Sequence, residues 1–144
     1  MLLLPALLVS AASVAAPGEA RFMTYPDIRG DRIVFAWEAD LYTTTVEGGT
    51  AVRITSHPSG ELAPKISPDG KWIAYTAFQN GSMDVWLMPA EGGAPTRLTW
   101  PPLGGQVVAW TPDSRRVVFR SRWGVPPAAR DQKLYQVALD ASMP

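Results

Sequence analysis

One short unit, a tight turn followed at once by a strand, recurs along this chain and limits its fold more than any other feature. The clearest copy is Ser67-Pro68-Asp69-Gly70-Lys71, followed by Trp72-Ile73-Ala74-Tyr75-Thr76. Pro68 fixes φ, the Asp69 side chain can bond its own backbone, and Gly70 accepts positive φ. Beyond it, Trp72, Ala74 and Thr76 alternate with Ile73 and Tyr75, the period of a pleated strand. A second copy is Thr111-Pro112-Asp113-Ser114, followed by Arg115-Arg116-Val117-Val118-Phe119. A third, degenerate copy is read at Tyr25-Pro26-Asp27-Ile28-Arg29-Gly30-Asp31, followed by Arg32-Ile33-Val34-Phe35. Three copies of one turn-and-strand unit imply a repeat protein.

The repeat can be measured. From Ile33 to Ile73 is 40 positions, and from Ile73 to Val117 is 44. Asp40-Leu41-Tyr42 matches Asp84-Val85-Trp86 at 44, and Lys133-Leu134-Tyr135 follows 49 positions later. Glu47-Gly48-Gly49 matches Glu91-Gly92-Gly93, and Arg53-Ile54-Thr55 matches Arg97-Leu98-Thr99, both at 44. The drift falls in loops, where insertions cost little. Four strands in about 40–45 residues is the period of a β-propeller blade. The expected fold is therefore all-β: blades of four antiparallel strands, two complete and a third truncated, an incomplete propeller. The frequent proline and glycine (14 and 12 residues) punctuating short apolar runs agree with this.

The expected division is a signal peptide at 1–20, blade 1 at 21–60, blade 2 at 61–105 and a partial blade 3 at 106–144. The leader reading rests on an apolar run from Leu2 to Val14, broken only by Pro5, Ser10 and Ser13. That is short of the ~20 residues that span a bilayer, and the small residues Val14-Ala15-Ala16 suit signal-peptidase cleavage. It predicts export to the periplasm or outside, and no stable membrane span. No Lys or Arg precedes the run, which departs from the usual pattern. In blade 1, strands are expected at Phe22–Tyr25, Arg32–Trp37, Asp40–Val46 and Ala51–Thr55, with Glu47-Gly48-Gly49 as a hairpin turn. In blade 2 they are expected at Ala63–Ile66, Trp72–Phe78, Asp84–Met88 and Thr96–Thr99, with Asn80-Gly81 as a hairpin signal. In the third unit they are Gln106–Trp110, Arg116–Ser121 and Leu134–Ala138.

The chemistry of the chain reads as structural. Net charge is zero, which gives no electrostatic case for nucleic acid. There is no cysteine and one histidine, so thiolate catalysis and multi-histidine metal sites within the chain are excluded. His57 sits in a linker before Pro58 with no nucleophile at a known spacing, so it reads as a loop histidine. Turn chemistry accounts for Ser67 and Asp69. Arg29-Gly30-Asp31 fills a turn, and Gly48-Gly49, Gly92-Gly93 and Gly104-Gly105 lack the Gly-Lys-Ser/Thr ending of a phosphate loop. Arg115, Arg116, Arg120 and Arg122 read as a solvated blade face. Trp37, Trp72, Trp86 and Trp110 read as packing between blades. The recurrence of Asp40 and Asp84 before matching strands points to a structural turn or an inter-strand bond. No catalytic, cofactor-binding or metal-ligating residue is assigned, and no cofactor is expected.

The run Ile66-Ser67-Pro68-Asp69-Gly70-Lys71-Trp72-Ile73-Ala74-Tyr75, with Asp84-Val85-Trp86, Gly92-Gly93 and Arg97-Leu98-Thr99, resembles the propeller repeats of the TolB and tricorn group. The first unit is more specific. Tyr25 to Phe35, Asp40-Leu41-Tyr42, Glu47 to Ala51 and Arg53 to Pro58 look like the amino-terminal opening of tricorn-type serine peptidases, and Phe119-Arg120-Ser121-Arg122 fits the same family. The resemblance covers about residues 21–144. It implies a six-bladed propeller, then a seven-bladed one, a PDZ-like domain and a peptidase core that holds the catalytic residues, none of which can be placed here. It implies peptides as the ligand of the full-length protein, the rest of its own chain as a partner, and a homo-oligomer when full length. Tricorn peptidases are usually thought of as cytoplasmic, whereas the leader predicts export. The alternative is a TolB-like periplasmic propeller that binds protein partners without enzymatic activity. On either reading the chain is expected to be a fragment. Three blades cannot close a ring, so exposed strand edges and blade faces predict poor solubility or association.

Overall fold

The computed structural model describes residues 23–79 and 81–141. The leader reading at 1–20 and the Asn80 hairpin position lie outside the described residues. Eleven strands form three antiparallel sheets in sequence order among these residues. The first sheet is β1 (Thr24–Arg29), β2 (Arg32–Trp37), β3 (Asp40–Thr45) and β4 (Gly48–Arg53). The second is β5 (Glu61–Ile66), β6 (Trp72–Gln79), β7 (Ser82–Pro89) and β8 (Thr96–Arg97). The third is β9 (Gln106–Trp110), β10 (Arg116–Ser121) and β11 (Lys133–Ala138). Each strand pairs with its neighbour in sequence, as short hairpin loops demand. β5 touches both β1 and β9, so the first strand of each sheet lies innermost. The sheets do not close into a ring.

The cores lie between sheets. Val34, Ala36 and Leu41 of the first sheet pack against Ile66, Ile73, Tyr75, Ala77 and Met88 of the second. Ala74, Val85, Leu87 and Leu98 on the opposite face of the second sheet pack against Val107, Val117, Phe119 and Val137 of the third. This follows from the period of two: Ile73, Tyr75 and Ala77 point one way, and Ala74 and Thr76 the other. A strand buried on both faces reads as a continuous apolar run, as β6 does.

Two turns share one hydrogen-bond pattern. Ser67 Oγ donates to Asp69 Oδ1 (2.6 Å) and accepts from the Trp72 amide (3.0 Å), while the Lys71 amide donates to Asp69 Oδ1 (3.1 Å). Thr111, Asp113, Arg116 and Arg115 repeat it at 2.6, 3.0 and 3.0 Å. Ser114 stands where Gly70 does and takes the same left-handed backbone, φ 60 against 74. Its hydroxyl accepts from the Asp69 amide at 3.0 Å, tying the two turns together across the sheets.

The degenerate third copy is corrected. Pro26 and Asp27 lie inside β1, and the reversal is the two-residue hairpin Gly30-Asp31, with Arg29 opposite Arg32. In register, Pro26 corresponds to Pro64, not Pro68. Tyr25 and Ala63, each before its proline, both have φ 52 and make a bulge opposite Phe35 and Tyr75. The third sheet has a bulge at the same level, beside Phe119. A bulge on the innermost strand increases local twist, which the crowded centre of a propeller requires. The Gly-Gly turns are also shifted: Val46-Glu47 turns the chain, and Gly48 and Gly49 open β4.

A second repeated device latches the outer strands. In the second sheet, Asp84 is fully buried and pairs with Arg97 Nη2 at 2.5 Å, with Thr99 Oγ1 donating to its other oxygen at 3.1 Å. Thr99 Oγ1 accepts from the Val85 amide (2.9 Å), and Arg97 Nε donates to Thr99 O (2.8 Å). In the first sheet, Arg53 pairs with Asp40 at 2.8 Å, Arg53 Nε reaches Thr55 O at 2.8 Å, and Thr55 Oγ1 accepts from the Leu41 amide at 2.8 Å. The recurrence of Asp40 and Asp84 is thus an inter-strand ion pair. In the third sheet Lys133 stands at that position. The two pairs differ in setting, because the Arg53 side chain is 49% exposed and that of Arg97 only 16%. Asp84→Ala is expected to cost about 3–5 kcal/mol, since it strands a largely buried guanidinium. Asp40→Ala is expected to cost about 1 kcal/mol or less. Urea unfolding of both variants checks the difference, and equal losses would contradict the assignment.

Candidate functional site

Where the first and second sheets meet, at the opening of the innermost strands, lies the one clearly perturbed buried carboxylate among the described residues. Glu61 is the first residue of β5 and only 4% exposed. It follows Gly60, whose φ of 80 lets the linker turn into the strand. Two backbone bonds clamp it: the Glu61 amide donates to Ala39 O (2.7 Å) and the Phe78 amide to Gly60 O (3.1 Å). The carboxylate accepts from Thr55 Oγ1 at 2.9 Å. Glu61 therefore takes from Thr55 the bond that Asp84 takes from Thr99 in the next sheet.

Burial raises the Glu61 pKa above its ordinary value of 4.5; the Thr55 hydroxyl opposes the shift, nearby Asp40 adds to it, and the His57 charge and backbone amide oppose it. Burial, and then the Glu61 carboxylate, push the Tyr75 phenol up as well. Two cavities meet at Glu61. One, of about 310 Å³, is lined by Thr55, His57, Glu61, Tyr75, Gln79 and Pro95. The other, of about 260 Å³, is lined by Tyr25, Trp37, Glu38, Glu61, Leu62 and Phe78. Tyr25 and Phe78 are 47% and 43% exposed, so this second groove carries an aromatic rim. Such a groove holds apolar side chains between aromatic faces, with backbone groups available at its edges.

His57 lies at the mouth, exposed, with its Nδ1 accepting from the Ser59 amide at 3.2 Å and the Ser59 hydroxyl 2.6 Å away. These contacts are two residues apart in sequence and cap the linker. Ser67 is fully buried in its turn, just past the end of β5 opposite Glu61. Hydrogen bonds to Asp69 from Ser67 Oγ and the Lys71 amide hold that exposed carboxyl below its usual range, and Thr111 and Arg115 do the same for Asp113. Both carboxylates therefore favour the folded chain above the ordinary value of 3.8, an effect lost as pH falls. Trp72 and Trp110 pack at the second interface between sheets and Trp86 at the first, whereas Trp37 stands edge-on to Tyr42 and lines the groove at the mouth of the first two sheets. Of the four arginines, Arg115, Arg120 and Arg122 are exposed, Arg120 bonding Gln106 and Arg122 the Ala129 carbonyl, and Arg116 is partly buried.

Glu61 is not singled out by sequence reasoning, which opens blade 2 at 61 and starts its first strand at Ala63. The usable signal was Thr55: it repeats Thr99, and its hydroxyl needs an acceptor in an environment that buries it.

Three sheets of antiparallel strands, packed face to face with their first strands innermost, define a β-propeller segment. The chain belongs to the family of the tricorn protease N-terminal β-propeller domain, whose model matches residues 20–144. Tricorn protease homolog 1 of Streptomyces coelicolor is 34% identical over 112 residues, which is 77% of this chain and 10% of that protein. In structure, the tricorn protease matches 83% of this chain and 12% of its own, at 24% identity and a TM-score of 0.68. TolB from Acinetobacter baumannii matches 81% of this chain and 30% of its own, at 25% identity and a TM-score of 0.67. Among the described residues no helix is long and apolar enough to cross a membrane.

Because folding raises the Glu61 pKa, the folded chain holds this proton more tightly than the unfolded one. Glu61 is therefore least unfavourable at or below pH 4.5, and stability falls as pH rises through its folded pKa. Glu61→Gln, which keeps an acceptor for Thr55, is expected to raise the melting temperature at pH 8 relative to wild type. The gain should shrink toward pH 4. A gain that grows on acidification would contradict this setting for Glu61.

Proposed function

We propose that this chain is the amino-terminal propeller portion of a tricorn-type serine peptidase that degrades peptides, and that it guides or gates peptides rather than cutting them. The carrying observation is the family match across residues 20–144, to which the aromatic groove at the mouth of the first two blades adds a place for an extended peptide. On this reading Tyr25, Trp37 and Phe78 take apolar side chains of the peptide, and Glu61 with the clamped backbone of Gly60 and Ala39 keeps the groove open. The blades divide at 21–60, 61–105 and 106–144. Catalytic residues lie elsewhere in the peptidase, no cofactor is used, and the full-length protein is a homo-oligomer. The leader at 1–20 directs it out of the cytoplasm, the alternative being the cytoplasm. The second reading is a TolB-like propeller that binds folded protein partners, which the likeness to TolB over 81% of the chain favours.

The test uses dye-labelled unstructured peptides of mixed sequence, rich in apolar residues, in an anisotropy titration with the purified chain. The peptides should bind and remain uncut. Tyr25→Ala with Phe78→Ala should weaken binding about tenfold, or about 1.4 kcal/mol. Hydrolysis that disappears on changing one of this chain's own residues would overturn the non-catalytic reading. Binding of folded proteins but not of peptides would favour the second reading.

A further inference from the structure

The cavity of about 310 Å³ between the first two sheets gathers polar groups that the fold itself does not use. Its lining residues lie between Ile54 and Pro95, on two sheets buried against each other, so both of its walls belong to one formed interface. Its size falls at the lower end of the ~300–1,000 Å³ that ligand pockets span.

Three side chains converge there from one face of the second sheet. Glu61 is paired with Ala77 in the register of β5 and β6. Tyr75 and Gln79 flank Ala77 along β6 and share its face. Cross-strand diagonal neighbours stand about 7–8 Å apart, near enough for long side chains to meet around one small group. Glu61, Tyr75 and Gln79 all line the cavity, and Ile54, Pro58, Met88 and Pro95 make much of the remaining wall apolar.

Each of the three has bonding capacity left over. Tyr75 is 1% exposed, yet its hydroxyl has no hydrogen-bond partner among the described residues. A buried phenol ordinarily finds one. Burial, then the Glu61 carboxylate, hold its proton in place, so the two groups sense each other. The Gln79 carboxamide likewise has no partner among the described residues. The Glu61 carboxylate takes one bond from Thr55 Oγ1 at 2.9 Å and support from the His57 backbone, of about four that a carboxylate can accept. No lysine or arginine lines either of the cavities that meet at Glu61. The charged groups around it are Asp40 and Glu38, both acidic, and His57 at the mouth. A buried carboxylate so placed favours a cation beside it.

The chemistry of that cation follows from the acceptors. A primary ammonium has three N–H donors and no acceptor, matching a carboxylate, a hydroxyl and an amide carbonyl. A guanidinium has five donors fixed in a plane, more than these groups can take. A metal ion is poorly served, since no three His, Asp or Glu side chains gather anywhere among the described residues.

We propose that this pocket receives a primary ammonium of the bound peptide, either its amino terminus or a lysine side chain. The Glu61 carboxylate, Tyr75 hydroxyl and Gln79 carbonyl take its three donors, and Ile54 and Met88 line the carbon chain behind it. Among the described residues Glu61 is the one that lines both cavities, so a peptide with apolar side chains in the aromatic groove presents its ammonium across Glu61. The proposal rests on the peptide reading above and adds the charge that the peptide must carry.

Three dye-labelled peptides of one apolar, unstructured sequence test it, in anisotropy titrations with the full chain at neutral pH. The first has a free amino terminus and no lysine. The second has an acetylated terminus and one lysine, and the third is acetylated with norleucine in place of that lysine. At least one of the first two should bind about tenfold or more tightly than the third, and which one does so names the source of the ammonium. Glu61→Gln, which keeps the Thr55 bond, should abolish the preference. Tyr75→Phe should reduce it about threefold or more without lowering the melting temperature, because the hydroxyl bonds nothing else among the described residues. Equal binding of all three peptides, or a preference that survives in Glu61→Gln, would overturn the proposal. If none of the three binds, the peptide reading fails, and Nα-acetyl-lysine methylamide titrated into isotope-labelled chain judges the pocket alone by amide NMR. Shifts at Glu61, Tyr75 and Gln79 that vanish in Glu61→Gln would then support the ammonium site, and their absence would overturn it.

Discussion

A four-stranded sheet with apolar residues on both faces cannot bury either face alone, and everything in this molecule follows from that constraint. β6 carries Ile73, Tyr75 and Ala77 toward one neighbour and Ala74 and Thr76 toward the other, all of them buried. Removing such faces from water is worth about 25 cal/mol per Å² of apolar area, and the gain is realised only when a second sheet arrives. The sheets therefore stack, and their inner strands meet at a centre crowded enough to require the bulges beside Phe35, Tyr75 and Phe119. Stability resides between blades rather than inside them.

Local polar chemistry then sets the blades in register. The Ser/Thr-Pro-Asp turns close the inner hairpins with side-chain bonds that no helix or strand would supply. The Asp-Arg-Thr latches hold the outer strands, where fewer backbone bonds are made. The first blade departs from the second at one point: Thr55 donates to Glu61 at the mouth instead of to its own blade's aspartate. That exchange buries a carboxylate between two cavities and gives the rim of the first two blades an electrostatic character that the second interface lacks.

The repeat period, the strand order, the aspartate recurrence and the packing of Trp72, Trp86 and Trp110 were legible because each depends on nearest neighbours in sequence. Three features were not. Pro26-Asp27 resembles a turn in one dimension, since proline and aspartate suit both a turn and a bulge; only pairing with β2 places them inside a strand. Glu61, two residues before the expected strand at Ala63, carries no local signal because its burial depends on Thr55 and on the neighbouring sheet. The exposed rim formed by Tyr25 and Phe78 was equally hidden, since it arises from two blades whose relative placement no local pattern encodes.

The central claim, that burial between blades holds the fold, is tested most directly by amide hydrogen exchange on protein dilute enough to be a single copy. The middle blade is covered on both faces and should be the last to exchange, with β6 and β7 the slowest strands. β4 and β11, each on a blade with one open face, should exchange well before them. Uniform protection across the three sheets, or slowest exchange in the third, would contradict the account.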